Sequence, residues 1–218
     1  MASSAHEHEH DHHDHDHDHD HDHGVGDHGA ADHGHAADGR PAHGAAGHVH
    51  DESCAVAHGT ATAPAEDRVL VAVFATPVAT YLLRYGADAG YRPVLIEPDA
   101  ERAKEAMADG FELADGLDGF AADRTDVVVT DHHRPELGVQ LRDALAAGAR
   151  WVGIMGNPRH EAPHVAALTE LGVPAGEIGK VHRPIGVNIG SRTPPEIAIA
   201  TLAGLIADRN GKPGGFTF

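Results

Sequence analysis

The hydrophobic pattern changes abruptly near residue 67. Before that point apolar side chains other than alanine are almost absent. Beyond it, short unbroken apolar runs alternate with segments of helical spacing. Val69 to Phe74 (VLVAVF) predicts a strand buried on both faces. Pro77 to Ala89 suits a helix, with proline in the first turn and Val78, Leu82 and Tyr85 at helical spacing. Pro93 to Glu97 is a second strand, Val127 to Thr130 a third and Trp151 to Met155 a fourth. Helices are expected over Ala100–Ala108, Pro135–Ala147 and His164–Leu171. The last helix is the best marked: Thr193 as N-cap, Pro194 at the first position, Glu196 completing a capping box, then Ile199, Leu202 and Ile206, with Gly211 as the stop. Strands alternating with helices at this spacing imply βαβ units and a parallel sheet. The expected fold is a Rossmann-like α/β domain over about residues 67–212, with helices on both faces of the sheet. Residues 213–218 read as a loose end.

Residues 1–66 cannot build a core, because they lack the apolar surface to offset chain ordering, and a disordered tail is expected. The tail holds 17 of the 22 histidines. His6, His8, His10, His12, His13, His15, His17, His19, His21 and His23 alternate with Asp and Glu. Neutral imidazoles and carboxylates on a flexible backbone suit divalent Zn, Ni or Cu without one fixed geometry. The tail carries 14 acidic residues against Arg40, which is −13 of the formal −18. The remainder has 20 acidic and 15 basic residues, or −5, so nucleic acid is not an expected partner. Cys54 is the single cysteine, which excludes an internal disulfide. No apolar run approaches a bilayer span and no signal peptide is visible, so a cytoplasmic protein is the default expectation.

In a parallel α/β sheet, ligands sit at the carboxyl ends of the strands. The first turn there is Phe74-Ala75-Thr76-Pro77-Val78-Ala79. A dinucleotide site needs glycines at 74, 76 and 79. Phe, Thr and Ala stand in their place, and Phe74 is expected to crowd a pyrophosphate. Thr76 remains able to cap the helix or bond a phosphate oxygen. Glu97, 21 residues beyond Thr76, stands where an acid would hold a ribose. NAD(P) is not the expected ligand.

The second half reads Trp151-Val152-Gly153-Ile154-Met155-Gly156 and, after a helix, Val181-His182-Arg183-Pro184-Ile185-Gly186-Val187-Asn188-Ile189-Gly190-Ser191-Arg192-Thr193-Pro194-Pro195-Glu196-Ile197-Ala198. This resembles the C-terminal Rossmann domain of the XdhC/CoxI accessory family, over roughly residues 68–210. Thr130-Asp131-His132-His133 falls near that family's T-H-D-H. The resemblance implies a chaperone role, more than catalysis, in maturing xanthine or carbon monoxide dehydrogenases. Such a protein binds molybdenum cofactor and hands it to the apo-enzyme of a molybdenum hydroxylase. Three departures stand out: the family's N-terminal domain is replaced by the His-rich tail, the first-turn glycines are lost, and Asn188 replaces an aspartate.

Cofactor-binding candidates are therefore Thr76, Glu97, Asp131, His132, Gly153, Gly156, Asn157, Arg159, Gly186, Asn188, Gly190, Arg192 and Thr193. Gly186 and Gly190 permit close backbone approach. The head of the Thr193 helix offers N–H groups to an anion such as a pterin phosphate, with Arg159, Arg183 and Arg192 as further contacts. His160-Glu161-Ala162-Pro163-His164 matches the zinc motif H-E-x-x-H formally, but Pro163 suits the first turn of a helix and leaves His160 in the loop. Asp131-His132-His133 is reminiscent of DHH phosphoesterases, whose other Asp-rich motifs are absent. The competing reading is a divalent-metal storage or delivery protein that uses the Rossmann domain as a docking scaffold. A nucleotide-dependent oxidoreductase comes third, and a homodimer is left open.

Overall fold

The computed structural model describes residues 52–61, 67–108, 110–156, 159 and 161–215. The chain divides into two units, Met1–His50 and Asp51–Phe218, and the described residues all belong to the second. The ten tail histidines from His6 to His23 lie outside the described residues, as does Asn157.

Five strands form one parallel sheet in the order β3-β2-β1-β4-β5. They are β1 (Val69–Val73), β2 (Arg92–Ile96), β3 (Glu112–Leu113), β4 (Thr125–Val129) and β5 (Trp151–Ile154). The register sets Val71 beside Val94 on one side and Val127 on the other. All five residues of β1 and all five of β4 are buried. This explains why their sequences are continuous in hydrophobicity rather than alternating. The helices are α1 (Glu52–Ala57), α2 (Pro77–Asp88), α3 (Ala100–Ala108), α4 (Leu137–Ala146), α5 (Pro163–Glu170), α6 (Ala175–Ile178) and α7 (Pro194–Arg209), with a 3₁₀ turn at Ala122–Arg124.

Alternate residues of β1 feed two cores. Val69, Val71 and Val73 pack with Leu137 and Leu141 of α4 and Leu168 of α5. Leu70 and Ala72 pack with Leu82 and Leu83 of α2 and Leu202 and Leu205 of α7. Each fully buried aliphatic side chain contributes about 1.5–3 kcal/mol. At the amino end of the sheet, Arg150 donates from Nε to Asp126 Oδ1 (2.6 Å) and from Nη1 to Asp208 Oδ2 (2.7 Å), fixing the end of α7 to β4. Among the described residues, no helix is long and apolar enough to cross a membrane.

The structure differs from the sequence expectations in several places. Helix α1 lies inside the stretch expected to be structureless. Its alanines favour helix, and Gly59 (φ 69°) ends it while Thr60 Oγ1 donates to the Ala55 carbonyl at 2.9 Å. Ile199 is exposed, whereas Leu202 is buried as expected, and α7 also buries Ala198, Ala200, Thr201 and Leu205. Near the end of the described residues, a Cβ at Gly214 would stand 3.5 Å from Val187 and 3.7 Å from Ala207. Pro163 does occupy the first turn of α5.

Candidate functional site

Crossovers leave β1 toward β2 on one face and return from β4 toward β5 on the other. The carboxyl ends of β1 and β4 therefore frame the crevice where ligands of this fold bind. Phe74 follows β1 with φ 74°, a conformation that costs a bulky side chain about 1–3 kcal/mol. Its ring is wholly buried in the core with α4, and the Arg134 guanidinium lies 4.8 Å above it. The expectation that this ring crowds a phosphate is thus corrected: positive φ turns it inward, out of a ligand's reach.

The group that fills the turn is Glu97. Its Oε2 accepts from the Ala75 amide (2.8 Å) and its Oε1 from the Asp99 amide (2.9 Å). Arg134 donates to the same carboxylate at 3.0 Å, and the Glu97 side chain has no exposed surface. The acid that was expected to hold a ribose is thus committed inside the chain. Thr76 caps α2, accepting from the Ala79 amide at 3.1 Å, and donates to Thr130 Oγ1 at 3.0 Å. Thr130 in turn lies 2.9 Å from the Phe74 carbonyl, to which it donates.

Beyond β4, the Asp131 carboxylate accepts from the His133 amide at 2.9 Å and so shapes its own loop. The His132 ring faces His133 with centroids 4.0 Å apart. Burial pushes the His132 pKa down, and the neighbouring His133 and Arg183 act in the same direction. Arg183 passes over Gly156, where a Cβ would stand 2.9 Å from Nε, and its Nη2 donates to the Glu161 carbonyl at 2.9 Å. His164, on the first turn of α5, is buried with no partner at Nδ1. Burial lowers its pKa first, and the Arg183 charge adds to the effect. Arg159 is exposed on the intervening turn. No group of three or more His, Cys, Asp or Glu among the described residues is disposed to hold a metal.

The loop before α7 behaves differently from expectation. Gly153 serves packing, since a Cβ there would overlap the Trp151 ring, which stacks on His182 at 4.8 Å. Gly186 (φ 84°) lies against the α7 backbone, with a Cβ only 2.9 Å from the Ala200 carbonyl group. A Cβ at Gly204 would meet Gly186 Cα at the same distance. Asn188 and Gly186 line a cavity of about 520 Å³ beside His182 and Lys212. Gly190 (φ 68°) is unobstructed. At the head of α7 the Glu196 carboxylate accepts from the amides of Arg192 (2.8 Å) and Thr193 (3.1 Å). Those two bonds hold the Glu196 pKa below the usual carboxylate range. Pro194 and Pro195 have no N–H to offer. The helix head is therefore filled by its own carboxylate, and the expected open anion site there is corrected.

The candidates thus fall into separate groups. Thr76 and Glu97 meet in the first turn, and Asp131, His132 and Gly156 occupy the edge beside it. Gly186 and Asn188 border the cavity beside His182, while Gly190, Arg192 and Thr193 lead into α7. Sequence reasoning met Thr130 only as the first residue of its motif and missed Arg134, whose one signal is position, past the carboxyl end of the strand beside β1.

Fold and edge together define a Rossmann-type α/β domain whose first turn is closed from within. The chain belongs to the family of the XdhC Rossmann domain, which its residues 70–205 match. A 65-residue stretch is 40% identical to the Escherichia coli (strain K12) "Uncharacterized protein YqeB", covering 30% of this chain and 12% of that protein. A crystal structure of a xanthine dehydrogenase from Bacillus halodurans superposes with a TM-score of 0.54 at 20% identity. That match covers 66% of this chain and 45% of the other, and it shows a shared fold. The chain therefore spans less than half the length of either relative.

Proposed function

We propose that this chain is an accessory protein in the maturation of a molybdenum hydroxylase of the xanthine or carbon monoxide dehydrogenase type. Its Rossmann domain would bind molybdenum cofactor or a related nucleotide and deliver it to the apo-enzyme. The observation that carries this reading is the family match over residues 70–205. It is supported by the Arg183 guanidinium, which passes over Gly156 beside the crevice and suits an anionic ligand. The first turn, by contrast, does not fit a pyrophosphate. The Glu97 carboxylate already accepts from the Ala75 amide, and a second anion there would be repelled.

When bound, molybdenum cofactor supplies the redox centre that the client enzyme uses. The residues of this chain hold its anionic group and shield it during transfer. The His-rich tail binds divalent Zn, Ni or Cu in this reading. The internal closure by Glu97 and Arg134 favours one second reading, a metal-storage protein whose Rossmann domain docks a partner.

The test mixes apo-hydroxylase with molybdenum cofactor, with and without the full chain, and follows recovered activity. Faster or more complete recovery with the chain present supports maturation. No effect on recovery, together with tight zinc or nickel binding by the full chain, supports the second reading.

A further inference from the structure

We infer that the groove between α2 and α3 is the binding cleft for a planar, phosphorylated heterocycle of the guanine or pterin kind. The two helices lie on the same face of the sheet but leave a cavity of about 500 Å³ between them. That is the size of small-molecule sites. Its floor is apolar and preformed by buried Leu83, Leu95 and Ala106. Phe111, half-buried, supplies a flat wall against which a ring can stack.

The rim carries the polar groups. Arg84 of α2 and Arg102 of α3 both line the cavity, and both are exposed. Among the described residues Arg84 has no ion pair, and its guanidinium sits 6.0 Å from the centre of the Phe111 ring. Two arginines facing one cavity suit a phosphate. Glu105 is the one carboxylate on the rim. A carboxylate accepts from paired N–H groups, such as those on the amino edge of guanine or a pterin. The cavity ends at Ala75 and Thr76, next to the turn that Glu97 closes. The ligand is thus displaced from the dinucleotide position to the groove beside it.

This inference rests on the reading that the domain binds a phosphorylated heterocycle, and the two can fail separately. The test titrates the full chain with GMP and, in parallel, with molybdenum cofactor. The comparison is with R84E/R102E and with R142E, a charge reversal on α4 across the sheet. Saturable GMP binding is expected, weakened at least about tenfold in R84E/R102E and unchanged in R142E. Phe111→Leu should weaken it about threefold through lost stacking. The altered arginines are exposed, and equal thermal midpoints confirm that the variants fold. GMP binding that is absent, or equal in wild type and R84E/R102E, overturns the cleft. Molybdenum cofactor that binds R84E/R102E as tightly as wild type also overturns the cleft but keeps the maturation role. GMP binding that needs both arginines, without any binding of molybdenum cofactor, keeps the cleft and overturns the maturation role.

Discussion

The turn after β1 and the loop before α7 solve opposite problems. The turn lacks glycines where a dinucleotide site needs them, and a side-chain carboxylate does there what a phosphate would do: Glu97 accepts from the Ala75 amide and Arg134 neutralises it. The loop leaves Gly190 unobstructed but commits Gly186 to its own helix. Gly186 and Gly204 bring the two backbones together with no room for a methyl group. A glycine in a motif therefore marks close approach, but what approaches can be the chain itself. In the same way, an acid at the end of the second strand can serve the protein's own amide rather than a ribose.

That contrast can be broken most forcefully at Glu97. Glu97→Ala leaves the Arg134 charge buried and the Ala75 amide unpaired, and should cost about 4 kcal/mol in urea unfolding. Glu97→Gln keeps the shape and should cost clearly less. Equal costs would show that the lost charge carries the whole effect and that the retained shape and amide hydrogen bonds contribute nothing. Gly186→Ala comes next, at about 3 kcal/mol, from positive φ and overpacking against Ala200. If its unfolding midpoint matches the wild type, the loop does not lie on α7 as described. Smaller still is the comparison of Phe74→Gly with Phe74→Ala. Both lose the buried ring, but glycine accepts φ 74° freely, so the glycine variant should be more stable by about 1 kcal/mol. A more stable alanine variant would mean the turn carries no strain.

The pH dependence should be the gentlest effect. His132 and His164 both have pKa values held below the ordinary 6.5, chiefly by burial. Unfolding frees them to take up protons, so below about pH 6.5 the unfolded chain binds more protons than the folded one. Stability is fully present above that value and falls as pH drops through the window beneath it. His164→Phe should flatten the thermal midpoint across that window. A midpoint that rises on acidification there would contradict the burial of these rings.

Much of the sheet could be read in the chain because buried parallel strands advertise themselves as apolar runs. Val69–Val73 and Thr125–Val129 differ from expectation by a residue or two at their ends. Pro77, Pro163 and Pro194 likewise marked helix starts, since proline fits the first turn. Strand β3 went unseen because two residues at a sheet edge carry no periodicity, and α6 because four residues after Pro174 make a single turn. The site was harder. Glu97 stood out by its distance from the first turn, but its partner Arg134 lies 37 residues on and has no local signature. The capping box at Thr193 was visible, yet its consequence was not. A carboxylate that caps a helix also takes the donors an anion would use.

The proposed maturation role requires that this domain carry molybdenum cofactor. The most direct measurement is a titration of the full chain with molybdenum cofactor, read through Trp151, its one tryptophan. NAD and AMP serve as parallel ligands. Saturable binding of molybdenum cofactor, followed by its transfer to an apo-hydroxylase, is the predicted result. Binding of NAD in preference to molybdenum cofactor, or of neither, would contradict it.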